Sequence, residues 1–185
     1  MRVIGGSAGS LRLQCPQGLQ IRPTADMIRE TLFNSLGPGV AGTAFCDLYA
    51  GCGSVGIEAG SRGARVVVFI ERSRRAVEAI EANLEHTGLG DVAAVIRGDV
   101  MSQYDQAARR WGPFDIVFAD PPYMLQELAA LGRRLIVGRE GLTETGVVVL
   151  QHSSHHALPE LPEPSRVKDF GESMLSFFEA TGESR

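Results

Sequence analysis

Between Ala44 and Arg62 the sequence passes from an apolar stretch, through Gly51-Cys52-Gly53-Ser54-Val55-Gly56, into a helix-forming segment. No other feature restricts the fold as much. Glycines at G-x-G-x-x-G spacing let a chain leave a strand, reverse tightly and begin a helix whose first backbone N–H groups face a ligand. The turn therefore predicts a parallel sheet with a binding crevice beyond the carboxyl ends of its strands.

The flanking pattern agrees. Ala44 to Tyr49 reads as a strand, and Arg65 to Ile70 as a β-branched strand buried on both faces. Ser73 caps the next helix, whose Ala76, Val77, Ile80 and Leu84 share a face before Gly88 ends it. Val92–Ile96 and Phe114–Ala119 are further strands, and a helix over about Leu125 to Val137 precedes a strand at Val147–Leu150. Arg166–Phe170 and Met174–Glu179, joined at Gly171, read as a terminal antiparallel hairpin after the stiff Leu158–Pro164 connection. At the other end, Arg2-Val3-Ile4 and Leu11–Gln14 flank Gly5, Gly6 and Gly9 and predict a hairpin with an open loop. Pro23 to Asp26 opens a helix, with Thr24 or Asp26 as N-cap and Ile28, Leu32 and Leu36 as its apolar stripe. The chain thus divides into a small extension, residues 1–43, and a main α/β domain, residues 44–185.

Two cofactors fit the glycine turn. Glu71, twenty residues past Gly51, is placed to accept both hydroxyls of a ribose, and on that basis a nicotinamide dinucleotide is a legitimate reading. Three features favour S-adenosylmethionine. Asp47 lies inside the first strand, four residues before Gly51, where its carboxylate can meet an ammonium that a dinucleotide lacks. Gly98-Asp99 ends the third strand, within reach of an adenine amino group. The third feature is Asp120-Pro121-Pro122-Tyr123, directly after the fourth strand, which has no task in hydride transfer.

That tetrapeptide suits methyl transfer to an exocyclic amine of a nucleobase. Such an amine is planar and weakly nucleophilic because its lone pair is delocalised into the ring. Asp120 and the Pro121 carbonyl can each accept one of its N–H groups, favouring a pyramidal nitrogen, and the prolines Pro121 and Pro122 stiffen the backbone that holds them. Tyr123 supplies a ring on which an extruded base can stack.

The charge balance limits how such an enzyme grips nucleic acid. The net charge is −4, yet residues 1–25 hold Arg2, Arg12 and Arg22 and no acid, which makes a basic arm on an acidic body. Arg72, Arg74 and Arg75 read as a solvated helix face. Cys15, Cys46 and Cys52, odd in number and unrelated in spacing, predict neither a disulfide nor a zinc site and fit a reducing cytoplasm. His152, His155 and His156 lack a nearby acidic or thiol partner and are expected in solvent, and Trp111 in the core. No apolar run approaches the roughly 18 to 20 residues of a membrane span.

The chain resembles the bacterial 16S ribosomal RNA guanine-N2 methyltransferases, the RsmD-like enzymes, nearly end to end. The resemblance rests on Arg2-Val3-Ile4-Gly5-Gly6, on Ile21-Arg22-Pro23-Thr24 through Arg29-Glu30-Thr31-Leu32-Phe33-Asn34, on Asp47 through Glu58, and on Glu71, Asp99 and Asp120-Pro121-Pro122-Tyr123. Cys52 departs from the family's usual Ser or Thr, and the segment after Tyr123 is short. The resemblance implies a Rossmann-like class I S-adenosylmethionine-dependent methyltransferase with a seven-stranded sheet and an N-terminal β-hairpin that contacts nucleic acid. It implies cofactor contacts from Asp47, Tyr49, Gly51, Gly53, Gly56, Glu71 and Asp99, catalysis by Asp120, Pro121, Pro122 and Tyr123, and RNA contacts from Arg2, Arg12 and Arg22. The expected substrate is guanine N2 in 16S RNA of an assembled or assembling small ribosomal subunit, modified by a cytoplasmic monomer without metal or membrane.

An adenine-N6 DNA methyltransferase is the nearest alternative. The chain has little beyond the catalytic core with which to read a DNA sequence. A binding module without catalysis would leave Asp120 unused, and a small-molecule amine as substrate would leave the basic hairpin unexplained.

Overall fold

A computed structural model describes residues 1–16, 23–121, 125–155 and 161–180. Helix α1 spans Pro23–Leu36, β1 Ala44–Leu48, α2 Ser54–Ser61, β2 Val66–Glu71, α3 Arg74–Thr87, β3 Ala93–Arg97 and α4 Val100–Trp111. Then come β4 over Phe114–Ala119, α5 over Leu125–Gly132, a π-helical turn at Arg133–Val137, β5 over Leu142–Ser153, β6 over Arg166–Asp169 and β7 over Ser173–Phe178. The strands form one 7-stranded sheet in the order β3-β2-β1-β4-β5-β7-β6, with β7 antiparallel to both neighbours. The order reverses between β1 and β4, which opens a crevice at their carboxyl ends.

The strands are apolar for a simple reason. Every residue of β1 is buried, and so are the last five of β2, because helices cover both faces of the sheet. One core layer gathers Phe45, Phe69, Ile57, Ile80 and Phe118, and the other gathers Leu48, Val68, Tyr104, Val117 and Leu150.

Several details depart from the expectations above. The helix α4 was not legible as one, and Asp99 is its N-cap, with its side chain accepting from Ser102 N–H. Helix α1 begins at Pro23, a residue suited to a first helical position, so neither Thr24 nor Asp26 caps it. Asp26 instead accepts a hydrogen bond from Arg29 at 3.1 Å within the first turns. His152 is buried, with its ring nitrogens 2.9 Å from Ser176 Oγ and 3.0 Å from the Ser153 carbonyl, and burial lowers its pKa. Position 152 lies on the extended β5, paired with Met174 of β7, and not in solvent. Cys15 and Cys52 form a disulfide with Cα atoms 5.4 Å apart, bridging a separation of 37 residues. The reason is tertiary: Asn83 of α3 exchanges hydrogen bonds with Gln14 at 2.8 Å and donates to the Cys52 carbonyl at 3.1 Å, so one amide holds both segments.

The N-terminal residues pair as a hairpin through a single bridge, Arg2 with Arg12, supported by Val3 N–H to Leu11 O at 3.0 Å. Their apolar side chains do not make a core of their own. Val3, Ala8 and Leu13 join Ile28, Leu32 and Phe33 of α1 and the main domain's Phe45 and Ile57 in one cluster. Polar bonds reinforce the join. Glu58 on α2, fully buried, accepts from Ile4 N–H at 2.7 Å, Gly5 N–H at 2.9 Å and Arg62 Nε at 2.7 Å.

Candidate active site

Turn geometry places the cofactor-side residues. Gly51 has φ +57, a left-handed conformation that favours glycine, and a Cβ there would meet nothing within 4 Å. Its N–H donates to Glu71 Oε2 at 2.9 Å, while Glu71 Oε1 accepts from Ser73 N–H at 2.8 Å. Glu71 thus ties the glycine turn to the start of α3, and each oxygen retains a second lone pair that can accept a ribose hydroxyl. Gly56 serves packing: a Cβ would stand 2.2 Å from Phe69 Cε1, so only glycine lets α2 lie so close to β2. Its N–H donates to Asp47 Oδ2 at 2.8 Å.

These elements surround one cavity of about 740 Å³. The glycine-turn end is lined by Asp47, Tyr49, Gly51, Cys52, Ser54, Val55 and Glu71. Asp120 and Pro121 from the mouth of β4 line the same cavity, together with Gln151, Phe170 and Glu172 from β5 and the β6–β7 turn. Of the residues singled out from the sequence, the cavity therefore brings together Asp47, Tyr49, Gly51, Glu71, Asp120 and Pro121. Gly53, Gly56 and Asp99 do not line it: Gly53 and Gly56 shape the turn beneath it, and Asp99 is exposed at its helix cap. Pro122 and Tyr123 lie outside the described residues, as does Arg22. Arg2 and Arg12 are exposed on the hairpin.

The electrostatics of the cavity are unusual. Burial raises the pKa of Asp47 well above the ordinary carboxyl range, opposed by the Gly56 N–H and reinforced by the charges of Asp120 and Glu71. A cationic group arriving beside Asp47 would relieve that repulsion and favour its ionised form. Burial also pushes the Tyr49 phenol up to about 12, so it enters neutral chemistry as a hydrogen-bond donor and not as a base.

Arg29 was missed by sequence reasoning. It lines the cavity yet is only 2% exposed, and its Nε and Nη1 find no hydrogen-bond acceptor among the described residues. A signal was present: on this helix Arg29 falls beside Leu32 and Leu36 on the apolar stripe, with Asp26 three residues before it as a counter-charge.

A sheet of this order, with a glycine turn after β1 and an acidic residue ending β2, defines the Rossmann-like class I fold of S-adenosylmethionine-dependent methyltransferases. Within that class the chain belongs to the family described as Conserved hypothetical protein 95, the RsmD-like family, whose model matches residues 1–179. The Bacillus subtilis protein YlbH is 39% identical over 160 residues, covering 86% of each chain. Ribosomal RNA small subunit methyltransferase D of Escherichia coli is 32% identical over 165 residues, 88% of this chain and 79% of its own. The solved structure of the Thermus thermophilus hypothetical protein TTHA0928 superposes with a TM-score of 0.82 at 31% identity, covering 97% of this chain and 99% of that one. An RNA methyltransferase from Salinibacter ruber, solved with S-adenosyl-L-homocysteine, shares the fold with a TM-score of 0.64 at 20% identity, covering 90% and 95% of the two chains.

Because Glu71 is bound on both oxygens by backbone N–H groups, it is held in place before any ligand arrives. Replacing it with alanine should weaken the methyl donor and its demethylated product equally, since both carry the same ribose. The loss corresponds to about 1.5 to 3 kcal/mol for a charge-assisted contact. Calorimetry on Glu71→Ala checks this, and unchanged affinity, or NADH bound as tightly as the methyl donor, would refute the ribose assignment.

Proposed function

We propose that the protein is an S-adenosylmethionine-dependent RNA methyltransferase that modifies the exocyclic N2 amine of a guanine in 16S ribosomal RNA. The observation that carries this reading is the shared cavity: Asp120 and Pro121 face the same space as Asp47, Gly51 and Glu71, so an amine held at β4 adjoins a donor held at the glycine turn. The family relationship supplies the small-subunit RNA as substrate, by analogy with the Escherichia coli enzyme.

The residues divide the task. When bound, the donor supplies a methyl group on a sulfonium, a leaving group that departs as a neutral thioether. Asp47 and the glycine turn would hold the donor's methionine end, and Glu71 its ribose. Asp120 and the Pro121 carbonyl accept the two N–H groups of the amine, which localises the nitrogen lone pair toward the methyl carbon. Forming the N–C bond with cleavage of the C–S bond would leave the nitrogen positive. Its surplus proton then passes to Asp120 or through it to water. Pro122 and Tyr123 complete the motif, with Tyr123 stacking the extruded guanine.

RNA binding is assigned to the hairpin. In the Arg2–Arg12 bridge two cations sit directly opposite each other, an arrangement unfavourable by itself and relieved by a bound phosphate. With a net charge of −4 and Arg22 the third cation of this arm, few phosphates can be neutralised. Protein-free 16S RNA should therefore be methylated poorly and an assembled or assembling small subunit well, by a cytoplasmic monomer. The test compares methyl incorporation into protein-free 16S RNA, undermethylated small subunits and DNA at equal nucleotide concentration and salt. Equal rates on the two RNA substrates, or a steep salt dependence, would overturn the subunit preference. Preferential labelling of DNA, or of adenine, would overturn the guanine assignment.

A further inference from the structure

Arg29 is only partly satisfied by the described residues. Of its guanidinium, only Nη2 is engaged, donating to the Arg2 carbonyl and to Asp26 Oδ1. Nε and Nη1 are buried without an acceptor among the described residues. Glu58 Oε2 stands 4.0 Å from Nε, beyond hydrogen-bond reach and already accepting from Ile4 N–H. Buried donors left unmet are rare because each forfeits its hydration. Arg29 lines the cavity with two buried N–H groups unmet among the described residues, and a carboxylate or a phosphate is the group a planar guanidinium can grip with paired bonds.

Position decides between them. Arg29 approaches Glu58 of α2, and it lines the cavity together with Asp47, Ser54 and Val55 at the glycine turn. Asp47 is 1% exposed and Arg29 2% exposed, so the lining of one cavity includes a buried carboxylate and a buried guanidinium. This pair of opposite charges is complementary to an α-amino acid zwitterion. A nucleic-acid phosphate is better met by the exposed Arg2 and Arg12.

We infer that Arg29 seats the carboxylate of the donor's amino-acid end while Asp47 receives its ammonium, so that the cavity recognises the donor as a zwitterion. This rests on the S-adenosylmethionine reading above. Donor and demethylated product share that end, so both are held, and methyl transfer itself does not disturb the contact. The arrangement also links substrate and donor sites: the Nη2 that bonds the Arg2 carbonyl ties the carboxylate seat to the RNA-facing hairpin.

The experiment measures dissociation constants by calorimetry for S-adenosylmethionine, S-adenosylhomocysteine and decarboxylated S-adenosylmethionine. The unaltered protein and Arg29→Met and Arg29→Lys variants are compared. Removing the carboxylate makes the ligand more cationic, which the acidic residues Asp47, Glu71 and Asp120 would favour on charge alone. Weaker binding of the decarboxylated compound is therefore diagnostic. On the unaltered protein it should bind about 10- to 100-fold more weakly than the intact donor. Arg29→Met should weaken the intact donor and its product by a similar factor and leave the decarboxylated compound nearly unaffected, with Arg29→Lys between. Equal affinity for intact and decarboxylated donor on the unaltered protein overturns the inference alone, and that comparison needs no variant to fold. Absence of binding by any of the three compounds overturns both the inference and the cofactor reading. An Arg29→Met variant that keeps the full gap but loses small-subunit binding assigns the guanidinium to phosphate and also overturns it.

Discussion

Asp120→Ala is expected to lower the rate of methyl transfer about 100- to 1,000-fold, equivalent to about 2.7 to 4 kcal/mol in the barrier, while the protein stays folded. The argument combines position with chemistry. Asp120 follows β4 at the sheet's carboxyl edge and lines the cavity, and its backbone N–H reaches Leu48 O at 3.5 Å, a contact that alanine keeps. The side chain is exposed, so its loss leaves no void in the core. What disappears is an acceptor for the amine and the group best placed to stabilise positive charge as it develops on nitrogen. Donor affinity should change little, because Glu71 and the glycine turn are untouched. Single-turnover kinetics on undermethylated small subunits, with calorimetry for the donor and a melting curve for the fold, separate these effects. A variant with near-normal turnover would remove Asp120 from the reaction.

Glu58→Ala should be the more damaging change to stability, about 3 to 5 kcal/mol. The carboxylate is fully buried and serves three donors at once, Ile4 N–H, Gly5 N–H and Arg62 Nε, with Arg29 Nε 4.0 Å away. Alanine strands two hairpin N–H groups and leaves two guanidinium groups without their buried counter-charge. Against a total of about 5 to 15 kcal/mol for a typical domain, that is a large fraction, and a fall in Tm on the order of 10 °C follows. Glu58→Gln, which keeps one accepting oxygen, should lose less. Denaturant titrations measure both, and hydrogen exchange at Ile4 and Gly5 should quicken first. A midpoint unmoved by alanine would mean that the hairpin is held by its apolar contacts, Val3, Ala8 and Leu13, and not by this carboxylate.

The Glu58 network also shows why the division at residue 43 describes the chain better than it describes the packing. A hairpin and a helix are local patterns and read as an appendage. Their docking depends on a carboxylate more than fifty residues away, as in the 54-residue separation of Ile4 and Glu58, and no local period encodes that.

The sequence by itself determined the sheet and its chemistry-bearing edges. Parallel strands buried on both faces read as near-continuous apolar runs, in which the buried Asp47 of β1 is an exception, so β1, β2 and β4 stand out. The Gly51 turn, Glu71 and Asp120 are legible because each lies at or just beyond the carboxyl end of such a strand, where the fold places its ligands. Helix α4 is hard to read because Gly98-Asp99 at the close of β3 attracts a ligand reading, while Asp99 is also the cap of the next helix. Tertiary structure alone decided the rest. It set Asp99 apart from the cavity and buried His152 against Ser176. It also joined Cys15 to Cys52 across α3 and brought the partly unmet guanidinium of Arg29 to the cavity that Asp47 lines. These are meetings of side chains from distant segments, and they depend on how helices pack on the sheet. Sequence patterns report the period of each element, whereas its neighbours follow only from the packing of all of them.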